Sequence, residues 1–336
     1  MRAAVVVGHG ALDQIKYCED IPVPEIIQND VLIKVRATAL NYHDIFTRRG
    51  MPGIKISFPI ITGSDIAGEV AAIGPDAEGW TKGDRVLINP IFNDDRTVGL
   101  LGEITNGGKA EFVVARDYQL IKLDDRVSYE DAASLPLAYG TAHRMMITIG
   151  KVMKNETVLI LGASGGVGVA CVQLAKLAGA KVIACASTDE KIEKLKALGA
   201  DHCINYKTQD VQKSVYEIMG KPRISGKGGV DIAVNFTGGN TWKSSVRCTK
   251  KGGRILTCGA TAGFDVEMDL RYVWTFEHQI LGSNGWMPED LNALLSLIEK
   301  GDLKPVIDCI LPLEKVMEAE RRMEDREFFG KILVQP

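Results

Sequence analysis

Short apolar runs separated by Gly, Pro, Asn and Asp fill roughly the first 120 residues: AAVVV, DVLIKVRATAL, DIAGEVAAIG, DRVLINP and AEFVVA. Runs of this length bounded by turn formers predict strands, and a series of them predicts a β-rich, barrel-like domain. After Ser128 the period lengthens to that of a helix in YEDAASLPLAYGTAHRMMITIG. Strands and helices then alternate. ETVLILG, KVIACA, HCINY, VDIAVNFTG and GGRILTCG read as strands, GVGVACVQLAKLAG and DEKIEKLKALG as helices. Strands with few polar breaks, lying between helices, are those of a parallel sheet covered on both faces. From about Asp265 the segments are mixed again, and the terminal GKILVQP is expected to pair back into the first domain. The predicted layout is therefore residues 1–124 together with 266–336, and a doubly wound domain over 125–265.

Composition narrows the partners. A chain of 336 residues is long enough for two cores. Its 40 basic and 43 acidic side chains leave a net charge of −3, which gives no electrostatic footprint for nucleic acid. Apolar residues are 46% of the chain but are interrupted by charges throughout, so no membrane span is predicted. The opening MRAAVVVGHGALDQI lacks the long apolar stretch of a secretory signal, and a cytoplasmic location is expected. The seven cysteines are scattered, without a CxxC pair, as reduced thiols would be. Small molecules are the expected partners.

The most specific local signal lies in VLILGASGGVGVACVQLAKLAG. Ala163, Ser164, Gly165, Gly166, Val167 and Gly168 form AxGxxG between a strand and an amphipathic helix. Small residues there let the backbone approach a pyrophosphate, and the helix start offers N–H groups and partial positive charge to its oxygens. The next strand ends at Ser187 and Thr188, followed by Lys191. Hydroxyls and a cation at this point suit the extra phosphate of NADPH, whereas an acid would bond the ribose hydroxyl of NAD. Asp189, 21 residues after Gly168, is the competing acid and keeps NAD open.

Taken in order, NYHDIFTRRG, PIITGSDIAGEVAAIG, GDRV, DAASLPLAYGTAH, the glycine loop, LGADHCINY, GGRILTCGATAG and GKILVQP resemble the medium-chain dehydrogenase/reductases along nearly the whole chain. The resemblance implies an α/β fold: a Rossmann doubly wound parallel sheet plus a GroES-like β-rich catalytic domain, assembled as a homodimer or homotetramer. Zinc-using members take ligands from a Cys and a His at positions that are Asn41 and Ser64 here. The segment that would carry their structural zinc, INPIFNDDRTVGLLGEITNG, has no cysteine. No metal is expected; His43, Asp44 and Glu103 are the residues that would have to improvise a site.

Without zinc, the sequence is similar to the quinone-reductase and enoyl-thioester-reductase branch. NADPH-using members of that branch carry residues spaced like Asn41 and Asp44, and a Lys and Tyr spaced like Lys191 and Tyr206 at the 2′-phosphate. A second similarity, to crotonyl-CoA carboxylase/reductases, lies in NYHD, in LGEITNGGKAEF around Glu103 and in RYVWTFEHQILGSN. That group has a CO2-holding His where this chain has Asn284, which favours simple reduction. The expected reaction is NADPH-dependent reduction of an activated C=C bond, in acryloyl- or crotonyl-CoA or a quinone. Asn41 is the candidate amide donor. Tyr42 is a proton donor or pocket wall, His43 a partner of Asp44 or an acid, and Asp44 a support for the catalytic loop. Thr141, Gly259 and Asn284 are expected near the nicotinamide. Arg48, Arg49 and Lys55 are candidates for the phosphates of coenzyme A. A zinc-type alcohol dehydrogenase with atypical ligands and a non-catalytic NADPH-binding protein are the alternatives.

Overall fold

The computed structural model describes residues 1–51, 55–94 and 97–336, and the chain divides into two compact units. Unit 1 comprises Met1–Leu137 and Leu291–Pro336. Its main sheet runs in the order Leu120–Lys122, Arg85–Ile88, Asp65–Ile73, Asp30–Ala39, Lys331–Gln335 and Ile307–Pro312. Asp30–Ala39 also pairs with Phe112–Arg116. This strand serves so many partners because it bends: register shifts against Asp65–Ile73 fall at Leu32/Ile33 and Val35/Ala37. Val31, Ile33, Ile66, Val86, Ile88 and Val113 fill the core beneath it. Lys331–Gln335 joins antiparallel, with Leu333 opposite Ala39, so the last strand lies beside the start of helix α1, Tyr42–Arg49.

Unit 2, Ala138–Asp290, is built on a six-stranded parallel sheet. Its strands are β1 (Thr157–Ile160), β2 (Lys181–Ala186), β3 (His202–Asn205), β4 (Val230–Val234), β5 (Thr249–Thr257) and β6 (Gln279–Gly282). They lie in the order β3-β2-β1-β4-β5-β6, the doubly wound arrangement whose direction reverses between β1 and β4. β1 is buried at every position and β2 at all but its first, as strands covered on both faces must be.

The observed division differs from the boundaries expected at 124/125 and 265/266. The helical turn Tyr129–Ala133 stays with unit 1, where the Tyr129 hydroxyl donates to Glu69 and Asp131 pairs with Lys304. Residues 266–290 stay with unit 2 because β6 extends its sheet beside β5. A change of hydrophobic period marks a change of element, not of the core it packs on. Among the described residues no helix is long and apolar enough to cross a membrane.

Candidate active site

In unit 1 the candidate residues gather at the start of α1. Asn41 has extended backbone just before the helix, and its N–H donates to Asp44 Oδ2 at 2.8 Å. Asp44 Oδ1 accepts the Gly63 N–H at 2.9 Å and faces Lys109 Nζ at 3.6 Å. Lys109 in turn pairs with Glu320 Oε1 at 2.7 Å, and Arg48 Nε with Glu320 Oε2 at 2.9 Å. These four side chains are at most 2% exposed. Charges so deep persist only when paired. Burial pushes the Glu320 carboxyl up, but Lys109 and Arg48 outweigh it and hold it below the usual carboxylate range. Burial likewise depresses Lys109, and Asp44 and Glu320 raise it more.

A second ring of contacts encloses Asn41. Its Nδ2 donates to Asp65 Oδ2 at 2.9 Å, and its Oδ1 accepts from Lys331 Nζ at 2.6 Å. Lys331 Nζ also reaches Asp65 Oδ2 at 3.0 Å and the Leu40 carbonyl at 2.9 Å, so its three protons have three acceptors. Asp65 Oδ1 accepts the Leu137 N–H at 2.8 Å. Burial holds the Asp65 carboxyl above its usual value, against the pull of Lys331, Asn41 and this N–H. Turning the amide over would set its NH2 against the ammonium and its oxygen against the carboxylate. Its orientation is thereby fixed, and one Nδ2 hydrogen is left with only a 3.5 Å contact to the Ala39 carbonyl.

The remaining expectations fare differently. Tyr42 packs against the core, its ring tilted against Phe46 at 6.0 Å and its hydroxyl 3.4 Å from the Met323 carbonyl. Asp44 supports backbone and buried cations; it has no free edge. Arg48 is fully buried on Glu320 and Glu324, and Arg49 pairs with Glu324 at 3.1 Å. Of the three cations expected for coenzyme A phosphates, Arg49 and Lys55 face solvent. His43 Nε2 lies 3.4 Å from Glu103 Oε1, and Glu103 is only 6% exposed.

Zinc does not fit this donor set. Asn41 offers a neutral amide oxygen already taken by an ammonium, and Ser64 offers a hydroxyl where an imidazole is needed. Among the described residues no three His, Cys, Asp or Glu side chains are grouped to hold a metal ion. Residues 95–96 of the cysteine-free segment lie outside the described residues.

In unit 2 the candidates lie where β1 gives way to helix α2, Gly166–Leu177. Gly162, absent from the sequence expectation because the fingerprint begins at Ala163, makes the turn with φ +68°. Its carbonyl would sit 2.3 Å from a Cβ at Gly168, so only glycine allows the loop and helix to close together. A Cβ at Gly165 would meet nothing nearer than 4.0 Å, which leaves the loop open on that side beside Ser164. The first N–H groups of α2, at Gly166, Val167 and Gly168, have no acceptor within the helix. A small-residue cradle with free donors fits a dinucleotide pyrophosphate.

β2 ends at Ala186, and Ser187 and Thr188 follow. Thr188 caps helix α3, Asp189–Ala197, accepting the Lys191 N–H at 3.3 Å. Asp189 accepts from Asn205 Nδ2 at 2.7 Å, a partner that sequence reasoning missed although Asn205 directly precedes Tyr206. The Tyr206 N–H donates to the Ala186 carbonyl at 3.1 Å, which brings its 38%-exposed side chain to the end of β2. Gly259 and Asn284 are exposed just beyond β5 and β6. Thr141 opens a short α-helical turn, Thr141–His143, between two π-helical stretches. The loop residues 162–168, 187, 206, 259 and 284 all follow carboxyl ends of strands, the edge where open α/β sheets bind ligands.

Comparison with known proteins agrees with this geometry. Residues 27–125 match the family described as alcohol dehydrogenase GroES-like domain, and residues 166–300 the family described as zinc-binding dehydrogenase. Human quinone oxidoreductase is 30% identical over 329 residues, covering 96% of this chain and 94% of that protein. A crotonyl-CoA reductase of Streptomyces avermitilis is 31% identical over 361 residues, covering 94% and 81%. The crystal structure of an NAD-dependent alcohol dehydrogenase superposes with a TM-score of 0.91 at 36% identity, covering all of both chains. A doubly wound sheet with its glycine cradle, joined in one chain to a GroES-like domain, places this protein among the oxidoreductases of the medium-chain dehydrogenase/reductase superfamily, whose members bind NAD(P)H.

Proposed function

We propose that the protein is an NADPH-dependent reductase of an activated C=C bond, acting without zinc on a short 2-enoyl-CoA such as acryloyl- or crotonyl-CoA, or on a quinone. The observation that carries this is the Asn41–Asp65–Lys331 ring, which stands at the position of a zinc ligand and is already complete without a metal. Reducing an isolated carbonyl concentrates charge on one oxygen, the task for which a Lewis acid is suited. A conjugated acceptor spreads that charge into an enolate, for which a few fixed hydrogen-bond donors are enough. The Nδ2 hydrogen of Asn41 held only by the long contact to the Ala39 carbonyl is such a donor. Bound NADPH supplies the hydride, to the β-carbon of the acceptor.

The preference for NADPH rests on Ser187, Lys191 and Tyr206 at the end of β2, with Asp189 turned to Asn205. Thr188 supports the same site through the α3 cap, while Thr141, Gly259 and Asn284 complete the cofactor contacts. A homodimer or homotetramer in the cytoplasm is part of the same proposal. The oligomer is supported by the edge that β6 leaves unpaired among the described residues and by the exposed Trp274 and Ile280, and light scattering measures it. The function is tested by following NADPH consumption with acryloyl-CoA, crotonyl-CoA, a simple quinone and an aldehyde side by side. Turnover of an enone or quinone is expected; turnover of the aldehyde alone, or a clear preference for NADH, refutes the corresponding half of the proposal.

A further inference from the structure

We propose that His43, held through Nε2 by Glu103, is the catalytic acid that delivers the proton completing the reduction. The assignment rests on the reductase function proposed above and adds a proton source to it. Tyr42 has its hydroxyl at the Met323 carbonyl, Asp44 is an acceptor for two backbone N–H groups, and Lys331 has all three protons engaged. His43 is the next polar group on the same turn, two residues after the fixed amide of Asn41.

Its surroundings are those of a held imidazole. Nε2 is buried and lies 3.4 Å from Glu103 Oε1, close enough for an ion pair, although no hydrogen bond is aligned there. Glu103 is 6% exposed, and among the described residues His43 is the basic group paired with it. A carboxylate so deep favours a cationic neighbour. The side chain of His43 is 22% exposed, and because Nε2 is buried that exposure belongs to the rest of the ring. With Nε2 facing the carboxylate, Nδ1 is the nitrogen left to work, the division of labour that carboxylate–imidazole pairs use elsewhere.

Burial depresses the imidazole, but Glu103, Asp44 and Asp65 together raise it above the ordinary histidine value. Asp44 and Asp65 belong to α1 and to the Asp65–Ile73 strand and are themselves paired with Lys109 and Lys331, so Glu103 is the decisive neighbour.

The step balances. Hydride addition to the β-carbon moves the C=C electron pair toward the carbonyl and leaves an enolate. The Nδ1–H bond breaks, its electrons stay on nitrogen, and the proton bonds to the α-carbon as the enolate carbonyl re-forms. His43 becomes neutral and regains a proton from water. With a quinone the same proton goes to oxygen.

His43→Gln and Glu103→Gln test this in the full-length protein. In cofactor-free protein, the His43 ring resonance, identified among the five histidines by its loss in His43→Gln, should titrate above the usual imidazole value and move down in Glu103→Gln. With enone and NADPH, His43→Gln should lower kcat by about 100-fold or more, with NADPH affinity retained. In Glu103→Gln the alkaline fall of kcat should move to lower pH, a shift that a purely structural pair would not produce. A His43→Gln enzyme with kcat within about twofold of the parent and an unchanged pH profile overturns the assignment alone. A parent enzyme inert toward every enone and quinone overturns the reductase function itself. Should His43→Gln not fold, an alkaline fall of kcat that stays in place in Glu103→Gln would still refute the proposal.

Discussion

Replacing Lys331 with Met removes one charge from the ring around Asn41 and keeps the apolar stem. Lys331 is 2% exposed and Asp65 is fully buried, so nothing from solvent replaces the ammonium. The carboxylate loses its cation, and the Leu40 carbonyl and Asn41 Oδ1 lose a donor. Breaking a buried pair on one side costs about 3–5 kcal/mol. For a unit of this size each kcal/mol lowers Tm by about 2–4 °C, which places the fall near ~10 °C. The sign of the pH dependence follows from Asp65. Without its cation the folded-state carboxyl rises further above the unfolded value, so the folded form gains stability as pH falls through that raised value and Asp65 takes up a proton. The deficit should therefore be largest at neutral pH and shrink in acid. Thermal unfolding at several pH values reads this directly, and Asp65→Asn combined with Lys331→Met should recover part of the loss. A Tm within about 2 °C of the parent at neutral pH would show that the pair contributes little and that Asn41 is not held as described.

Other expectations follow from the same contacts. Asn41→Ala should lower kcat with enones by about 10- to 100-fold while NADPH affinity, read by fluorescence titration, stays nearly constant. Tyr42→Phe should keep kcat within about twofold in the same assay, because its hydroxyl serves only a long contact to a backbone carbonyl. Lys191→Ala should raise KM for NADPH about tenfold and leave KM for NADH nearly unchanged, since only the former presents a 2′-phosphate for a charge-assisted bond.

How much of this was legible in the sequence depended on chain distance. The glycine cradle and the end of β2 are local: the residues that make each turn lie within a few positions of one another, and strand–loop–helix spacing exposes them. Even there Gly162 escaped, because its role is to close against Gly168 and not to match a fingerprint position. The ring around Asn41 was not legible. Asp65 lies 24 residues away and is brought in by the pairing of Asp65–Ile73 with Asp30–Ala39, while Lys331 lies 290 away and arrives only when the last strand adds beside Asp30–Ala39. Arg48 read as a candidate for coenzyme A phosphates because its partners, Glu320 and Glu324, arrive from the far end of the chain. The domain boundary was displaced for a related reason, since Tyr129–Ala133 has a helix's period but docks on Glu69 and Lys304. Glu103, named from the sequence through the LGEITNGGKAEF segment, is buried beside His43.

The central claim is that this protein reduces conjugated acceptors with no metal to steady the oxygen. It is tested most directly by measuring kcat/KM for crotonyl-CoA and for an aldehyde, with NADPH, before and after exhaustive dialysis against a zinc chelator. A preference for the conjugated acceptor that dialysis leaves unchanged is the predicted result. Aldehyde reduction that dominates, disappears with the chelator and returns with added zinc would contradict it.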